Sequence, residues 1–225
     1  MPVINGTVSS TKYIERANHG LHDFVFEQLV KPLMPLESVL DIGCGSGAWL
    51  HRLQEHGVSR LMGLDSDTAQ FAAEGITHRA INLDRYDAEH FGSYQVITCI
   101  ELIEHLENPG GLIRLIANHL SPGGSCIITT PNMHSRFARL RYALKGELGH
   151  FDSKSDPTHI YPVYTANLRK ILQRNGLTIH SVLGFTEIAS HNYSFPIRSL
   201  AALLTLFLAK TFEGDNIIYT VKHTG

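Results

Sequence analysis

Residues 39–48 read V-L-D-I-G-C-G-S-G-A, an apolar run that passes into three glycines spaced two apart. The run at 38–42 predicts a buried strand, and residues 48–56 predict the helix that follows it. Glycines between a strand and a helix let a ligand reach the backbone, and the helix N-terminus favours an anionic group. The stretch therefore predicts the first strand, loop and helix of an α/β sheet with a ligand at its carboxyl edge.

Apolar strands alternate with helices along the chain outward from this stretch. Further strands are predicted at 61–65, 78–83, 95–100 and 125–130, with helices at 68–74, 101–106 and 111–120. This alternation is typical of a Rossmann-like, doubly wound parallel sheet. A helical region at 12–33 precedes it, and a helix from Thr165 with strands at 178–183 and 217–221 follows. We predict one domain over 1–225, with an N-terminal helical cap at 1–37 and acceptor-side insertions at 133–164 and 186–215.

The composition is that of a globular protein. The chain has 225 residues, of which 43% are hydrophobic and 18% charged, and its net charge of −2 gives no global sign of nucleic-acid binding. Cys44, Cys99 and Cys126 match no zinc or disulfide spacing, which suits a reducing compartment. The first ten residues lack a leader pattern, so we expect a cytoplasmic protein. The apolar run at 200–209 is about half the length that spans a bilayer.

Two ligand classes fit the spacing of the glycine loop. Gly43, Gly45 and Ala48 match a dinucleotide fingerprint, and Asp65 stands where a ribose-binding carboxylate is expected. Asp41, at the mouth of the loop, would repel a pyrophosphate but attract an ammonium group. S-adenosylmethionine carries an ammonium and no phosphate. On this interpretation Asp65 serves the ribose, and Asp84, after the third strand, accepts from the adenine amino group.

The ordered motifs V-L-D-I-G-C-G-S-G, G-L-D, N-L-D and Y-Q-V-I-T-C-I-E resemble those of class I S-adenosylmethionine-dependent methyltransferases. The resemblance covers about 39–132 and continues more weakly to the C-terminus. It implies a seven-stranded sheet whose last strand is antiparallel, with Asp41, Gly43 and Gly45 at the methionine end. We list the expected cofactor-binding residues together: Asp41, Gly43, Cys44, Gly45, Gly47, Asp65, Ser66, Leu83, Asp84 and Ile100.

A second motif, E-x-x-E-H, follows the fourth strand. If a helix starts at Glu101, then Glu101, Glu104 and His105 share one face beside the cofactor. Carboxylates and an imidazole suit Mg²⁺, Mn²⁺ or Zn²⁺. Three interpretations stay open: a divalent metal site, a pocket in which His105 acts as base or binding residue, and an ordinary structural helix face.

The same motif, with T-P-N and a later histidine, resembles small-RNA 3′-terminal 2′-O-methyltransferases and ubiquinone-pathway O-methyltransferases. The resemblance implies metal ligation by Glu101, Glu104, His105 and His159, with His150 as an alternative to His159. The R-H-x-D-H segment of the RNA group is missing, and Ser155-Asp156-Pro157 replaces the lysine-glycine of the ubiquinone group. Neither substrate therefore transfers.

We expect an S-adenosylmethionine-dependent O-methyltransferase in which a metal activates the acceptor hydroxyl, or His105 or His159 takes its proton. The basic segment 134–148 and the apolar run at 197–209 favour a small-molecule, quinone, lipid or lipid-linked glycan acceptor, with peripheral membrane contact. The alternatives are an RNA-end 2′-O-methyltransferase, an NAD(P)-dependent oxidoreductase and a non-catalytic cofactor-binding protein. The oligomeric state is open between monomer and homodimer.

Overall fold

A seven-stranded sheet forms the centre of the computed structural model, which describes residues 13–85, 89–186 and 212–225. In spatial order the strands run β3-β2-β1-β4-β5-β7-β6. Their bounds in chain order are β1 Ser38–Ile42, β2 Arg60–Asp65, β3 Thr77–Ala80, β4 Tyr94–Cys99, β5 Leu120–Pro131, β6 Leu177–Phe185 and β7 Asn216–His223.

The first five strands are parallel, and β7 is antiparallel to both of its neighbours, β5 and β6. This confirms the expected α/β class and the antiparallel last strand. Because β7 runs the opposite way, it enters the sheet at the edge where β1, β4 and β5 leave it. Its first residue, Asn216, lies opposite Pro131 at the end of β5.

Helices cover the sheet. An N-terminal helix, α1, spans Leu21–Val25 and continues as a π-helical turn over Phe26–Val30. This confirms the predicted helical region before β1. The remaining helices are α2 Ala48–Glu55, α3 Pro109–His119, α4 Arg136–Lys145 and α5 Thr165–Arg174.

β1 is buried on both of its faces, which explains why it reads as a nearly continuous apolar run, whereas β3 at the edge of the sheet is exposed. Successive side chains on a strand point to opposite faces. Val39 accordingly packs with Trp49 and Leu50 of α2, whereas Leu40 packs on the other face with Leu112 of α3. The central strands therefore form an interior layer, and a site on them lies at the edge where their carboxyl ends emerge.

Two predicted elements differ in the structure. The helix predicted at 68–74 is wrong, because the Asp67 carboxylate accepts from the Ala69 N–H and the Ala72 N–H bonds to the Ser46 carbonyl instead of continuing a helix. The third strand stops at Ala80. There the Asn82 side chain accepts from the Asp84 N–H and turns the chain into a short 3-10 helix.

Within the described residues, the helices are all too short or too polar to cross a bilayer. The apolar run at 197–209, with the possible membrane and dimer roles considered for it, lies outside the described residues.

Gly47 precedes α2 with φ 82°, and a Cβ there would lie 2.8 Å from Ala73 Cβ and 2.9 Å from Phe71 Cε2. We expect Gly47→Ala to lower the free energy of unfolding by about 2–4 kcal/mol. The alanine would hold a strained left-handed backbone conformation, and its Cβ would also crowd the neighbouring side chains. Gly57→Ala is the matched control, because Gly57 has φ 85° with open space around it. It should cost about 1 kcal/mol, from strain alone. Denaturant unfolding measures both, and equal losses would contradict the crowding at Gly47.

Candidate active site

The glycine loop is held in place by hydrogen bonds to β2. The Leu64 carbonyl accepts from the N–H groups of Gly43 and Cys44, at 2.7 and 3.1 Å. Asp65, the last residue of β2, accepts from the Gly45 N–H at 2.8 Å. A Cβ built on Gly45 would meet nothing within 4 Å, so the loop presents an open backbone face to a ligand. Asp65 thus holds the glycine loop against the end of β2.

Asp41 is buried at the end of β1. Its Oδ1 accepts from the Thr98 hydroxyl at 2.6 Å. Burial raises the pKa of Asp41 to about 6, and the hydrogen bond from Thr98 opposes that rise. A carboxylate desolvated in this way gains from a cationic ligand, as the sequence interpretation requires.

The chain leaves β4 by a turn and not by a helix. Glu101 has φ 48°, in the left-handed region that side chains rarely adopt, and only Ile103–His105 form a 3-10 helix. The prediction of a helix over 101–106 is therefore wrong. The expected shared face of Glu101, Glu104 and His105 fails with it, because residues before a helix do not follow its spacing.

Thr129 and Asn216 hold the Glu101 carboxylate. Oε1 accepts from the Thr129 hydroxyl at 2.7 Å, and Oε2 accepts from Asn216 Nδ2 at 2.7 Å. Burial raises the pKa of Glu101 to about 7, and these two hydrogen bonds oppose the rise. Both oxygens thus accept a hydrogen bond from the side of β5 and β7, and the residue still lines the cavity that His105 lines.

Glu104, His105 and His159 do come together. Their potential ligand atoms all lie within 4.8 Å of one another. The Glu104 carbonyl creates this arrangement, since it accepts from the N–H groups of both Ile160 and Tyr161, each at 2.9 Å. Those two bonds draw the loop before α5 across the sheet edge and place His159 beside His105, with ring centroids 4.7 Å apart.

The hydrogen bonds of the two histidines leave one nitrogen of each ring available. His159 Nδ1 lies 3.0 Å from the His150 carbonyl, and His105 Nδ1 lies 3.2 Å from the Thr158 carbonyl. His105 Nδ1 is also 2.9 Å from the Thr158 hydroxyl, which donates its proton to the Asp156 carboxylate at 2.6 Å and so can only accept from the ring. A carbonyl only accepts, so both Nδ1 atoms donate and both Nε2 atoms keep a lone pair. Burial, aided by His159, lowers the pKa of His105, which favours the neutral ring. Metal-binding histidines commonly donate their second nitrogen in this way.

The Glu104 carboxylate is buried without a well-placed hydrogen-bond donor among the described residues. The side chain is fully buried, and neither oxygen accepts a hydrogen bond of good geometry from the described part of the chain. Burial and the nearby Glu101 raise its pKa well above the usual range. The nearby Thr130 hydroxyl, which is also unpaired, only partly opposes this rise of the Glu104 pKa. A buried carboxylate without partners is costly unless it is protonated or binds a cation. Together with two imidazole lone pairs, this carboxylate fits a divalent metal.

One cavity of about 710 Å³ connects the glycine loop with His105 and His159, while the buried Glu104 lies behind its lining. Asp65 and the glycine loop line one end of it, and His105 and His159 line the other. Trp49, the single tryptophan of the chain, lies in its wall. The predicted site residues along this cavity are Asp41, Gly43, Cys44, Gly45, Asp65, Ile100, Glu101, His105 and His159.

Four expected cofactor residues lie outside the cavity lining. The Asp84 carboxylate accepts from the Asn108 N–H before α3, so its described contact is not directed at a ligand. Leu83 is a buried core residue, and Gly47 packs against Phe71. Ser66 lies beside Asp65 on the surface. His150, the alternative metal ligand, instead lines a neighbouring cavity and offers its carbonyl to His159.

The sequence patterns do not predict that the N-terminal segment lines the cavity. Ile14, Arg16, Asn18 and His22 line the same cavity. The segment is attached by Ser46, whose hydroxyl bonds to both the Ile14 N–H and carbonyl at 3.0 Å. No motif marks these residues, because they reach the site through tertiary contacts alone.

Comparisons with known proteins agree with this geometry. The methyltransferase-domain family profile matches residues 13–182. A ubiquinone biosynthesis O-methyltransferase of Psychrobacter arcticus is 27% identical over 161 residues, which cover 66% of this chain and 62% of the relative. The ubiquinone biosynthesis O-methyltransferase of Psychrobacter cryohalolentis is 30% identical, over a match that covers 44% of this chain and 43% of the relative. The chain thus matches less than two thirds of these relatives' length.

Solved structures share the fold at low identity. An S-adenosylmethionine-dependent methyltransferase from Archaeoglobus fulgidus superposes with a TM-score of 0.60 at 21% identity, covering 89% of this chain and 94% of that one. Magnesium protoporphyrin IX methyltransferase from Synechocystis, solved with bound S-adenosylhomocysteine, superposes with a TM-score of 0.56 at 19% identity. That superposition covers 90% of this chain and 82% of the other. The profile match over most of the chain, the strand order and the glycine loop agree, and the chain belongs to the class I S-adenosylmethionine-dependent methyltransferases.

Proposed function

We propose that this protein transfers the methyl group of S-adenosylmethionine to a hydroxyl oxygen of a small molecule, quinone, lipid or lipid-linked glycan. The observation that carries the proposal is the single cavity in which the glycine loop and Asp65 meet His105 and His159. A ligand bound along the loop from Asp65 would bring its reactive end toward the two histidines. The acceptor oxygen would therefore meet the methyl group beside groups that can take its proton.

The chain's own part in the reaction is alignment and proton removal. The methyl group leaves a sulfonium, which is a good leaving group, so orientation in a dry site supplies much of the rate. Without a bound metal, Nε2 of His105 or His159 would accept the proton of the acceptor hydroxyl as the oxygen–carbon bond forms. The hydrogen bonds of both Nδ1 atoms to backbone carbonyls fix the rings in the required tautomer.

Glu104, His105 and His159 would hold a divalent metal. Two imidazoles and one carboxylate suit Mn²⁺ or Zn²⁺ better than Mg²⁺, which prefers oxygen ligands. When bound, such an ion lowers the pKa of a coordinated hydroxyl and orients it. Glu101, with both oxygens engaged by Thr129 and Asn216, would stay outside this ligand set.

A second cavity, of about 850 Å³, supports an acceptor of more than minimal size. It lies beside the first, with the loop that carries His150 and His159 between them. Phe137, Ala138 and Arg141 of α4 form one wall, and residues 213–215 before β7 line another side. The hydrogen bond from His159 Nδ1 to the His150 carbonyl therefore lies in the wall between the cavity of the glycine loop and this second cavity.

The surface of α4 supports a lipid or quinone acceptor. No residue of α4 is buried, and Tyr142 and Leu144 are 56% and 73% exposed. Arg136 pairs with Glu213 and Arg141 with Asp152, so part of its basic charge is used internally. A helix that exposes apolar and basic groups together suits contact with an anionic or lipid-borne substrate. The names of the ubiquinone O-methyltransferase relatives point to the same class.

The cofactor assignment predicts a simple binding result. We expect S-adenosylhomocysteine to quench or enhance the fluorescence of Trp49, the only tryptophan, because that residue lines the cavity. Titration should give a micromolar dissociation constant, and NADH should fail to compete because Asp41 would repel its pyrophosphate. Competition by NADH with no binding of S-adenosylhomocysteine would instead favour the oxidoreductase alternative.

The metal assignment predicts that Glu104→Gln and His159→Ala lose Mn²⁺ and Zn²⁺ binding in calorimetry. Loss of one first-sphere ligand should weaken the affinity by at least about 100-fold. Glu107→Gln is the matched control, since Glu107 lies three residues after Glu104 but is exposed. Unchanged affinity in both ligand variants would refute the site.

The proposed activity predicts transfer of a labelled methyl group to at least one hydroxyl acceptor. Catechols, quinols, lipid-linked sugars and RNA ends should be compared with and without chelator. We expect transfer to a quinol, catechol or lipid-linked sugar, with a loss of rate in chelator. Transfer to RNA ends alone would favour the RNA alternative, and cofactor binding without transfer to any acceptor would favour the non-catalytic protein.

A further inference from the structure

Glu101 occupies a particular place along the cavity. β1 lies between β2 and β4 in the sheet, so Asp65 at the end of β2 and Glu101 after β4 flank the glycine loop on opposite sides. A cofactor whose ribose bonds to Asp65 extends across the loop toward β4. Its sulfur end then lies on the Glu101 side, because the reacting methyl group must face His105 and His159.

The Glu101 carboxylate is held rigidly at this place. Thr129 binds one oxygen and also accepts from the Glu101 N–H at 3.0 Å. Asn216 binds the other oxygen, and its own Oδ1 accepts from Asn18 Nδ2 at 2.6 Å. The backbone at Glu101 is strained at φ 48°, and such strain is usual where a side chain has to be aimed at a functional site.

The hydrogen bonds to this carboxylate come from neutral groups. Within the described residues, its partners are a hydroxyl and an amide, and no lysine or arginine forms an ion pair with it. Neutral donors orient a negative charge without cancelling it. Arg16 and His22 also line the cavity, and His22 is near enough to oppose the rise of the Glu101 pKa. Above the Glu101 pKa of about 7, the cavity therefore offers a directed negative charge to a cationic ligand.

The two forms of the cofactor differ in one relevant way. S-adenosylmethionine carries a positive sulfonium. After its sulfur–carbon bond breaks and the methyl group bonds to the acceptor oxygen, the sulfur is a neutral thioether, and the acceptor's proton has gone to the base. The ribose, adenine, ammonium and carboxylate groups are the same in both.

We propose that Glu101, positioned by Thr129 and Asn216, faces the sulfonium and selectively strengthens binding of S-adenosylmethionine over S-adenosylhomocysteine. Methyl transfer removes the charge that Glu101 attracts and so favours exchange of product for fresh cofactor. This inference rests on the proposed function and adds a role for Glu101 that is separate from metal ligation.

The test compares dissociation constants of the two cofactor forms for the full chain at pH 8, read from Trp49 fluorescence. Glu101→Gln keeps the shape and the Thr129 contact but removes the charge. We expect the preference for S-adenosylmethionine to fall about tenfold, through weaker binding of that form. Repeating the titrations in chelator separates this effect from any bound metal.

Two further variants test positioning. Thr129→Val and Asn216→Ala each remove one neutral donor, and both should shift the same ratio in the same direction, by about threefold. A merely structural defect would weaken both ligands alike. An analogue with a protonated amine in place of the sulfonium should follow S-adenosylmethionine in every variant, because charge and not the methyl group is recognised.

Asp65→Asn is the matched control, because the ribose that Asp65 serves is common to both ligands. It should weaken both by the same factor and leave the ratio unchanged. If wild-type protein binds both ligands and Glu101→Gln leaves the ratio intact, the role of Glu101 is refuted while the proposed function stands. If wild-type protein binds neither ligand, the proposed function itself fails, and the inference fails with it.

Discussion

At the end of β4 the chain leaves the sheet while the Glu101 carboxylate stays partly buried between β5 and β7. Thr129 and Asn216 hold that carboxylate, and the backbone adopts φ 48° to satisfy both. Because the turn occurs before the 3-10 helix begins, Glu101 does not share a helix face with Glu104 and His105. The rest of the site depends on this turn, which gives Glu101 hydrogen-bond partners on β5 and β7 that Glu104 does not have.

The Glu104 main chain then connects the turn after β4 to the loop before α5. Its carbonyl binds two consecutive N–H groups of the loop before α5, which brings His159 to His105. Its carboxylate, buried without a partner among the described residues, is left for a cation or a proton. One residue thus organises the loop through its backbone and the proposed metal site through its side chain.

Charge is distributed along the cavity in a way that suits a cationic cofactor. Asp41, Asp65 and Glu101 line it, and their hydrogen bonds come from hydroxyl, amide and backbone N–H groups. Such donors orient carboxylates but leave their net charge in place. The N-terminal segment closes part of this acidic surface, and the bond from Asn18 to Asn216 connects that cover to the Glu101 carboxylate.

The sequence alone determined the sheet and its cofactor edge, because local patterns encode them. The glycines after β1 and the apolar runs predict β1, β4 and their loop, and Asp41 and Asp65 stand out from their positions at the ends of β1 and β2. Tertiary structure decided the rest. The spacing of Glu101, Glu104 and His105 suggested a shared helix face, but contacts from β5 and β7, distant in sequence, pull Glu101 out of that group. Asn18 and Asn216 carry no local signal, since their function arises only where an antiparallel strand enters the edge that the parallel strands leave.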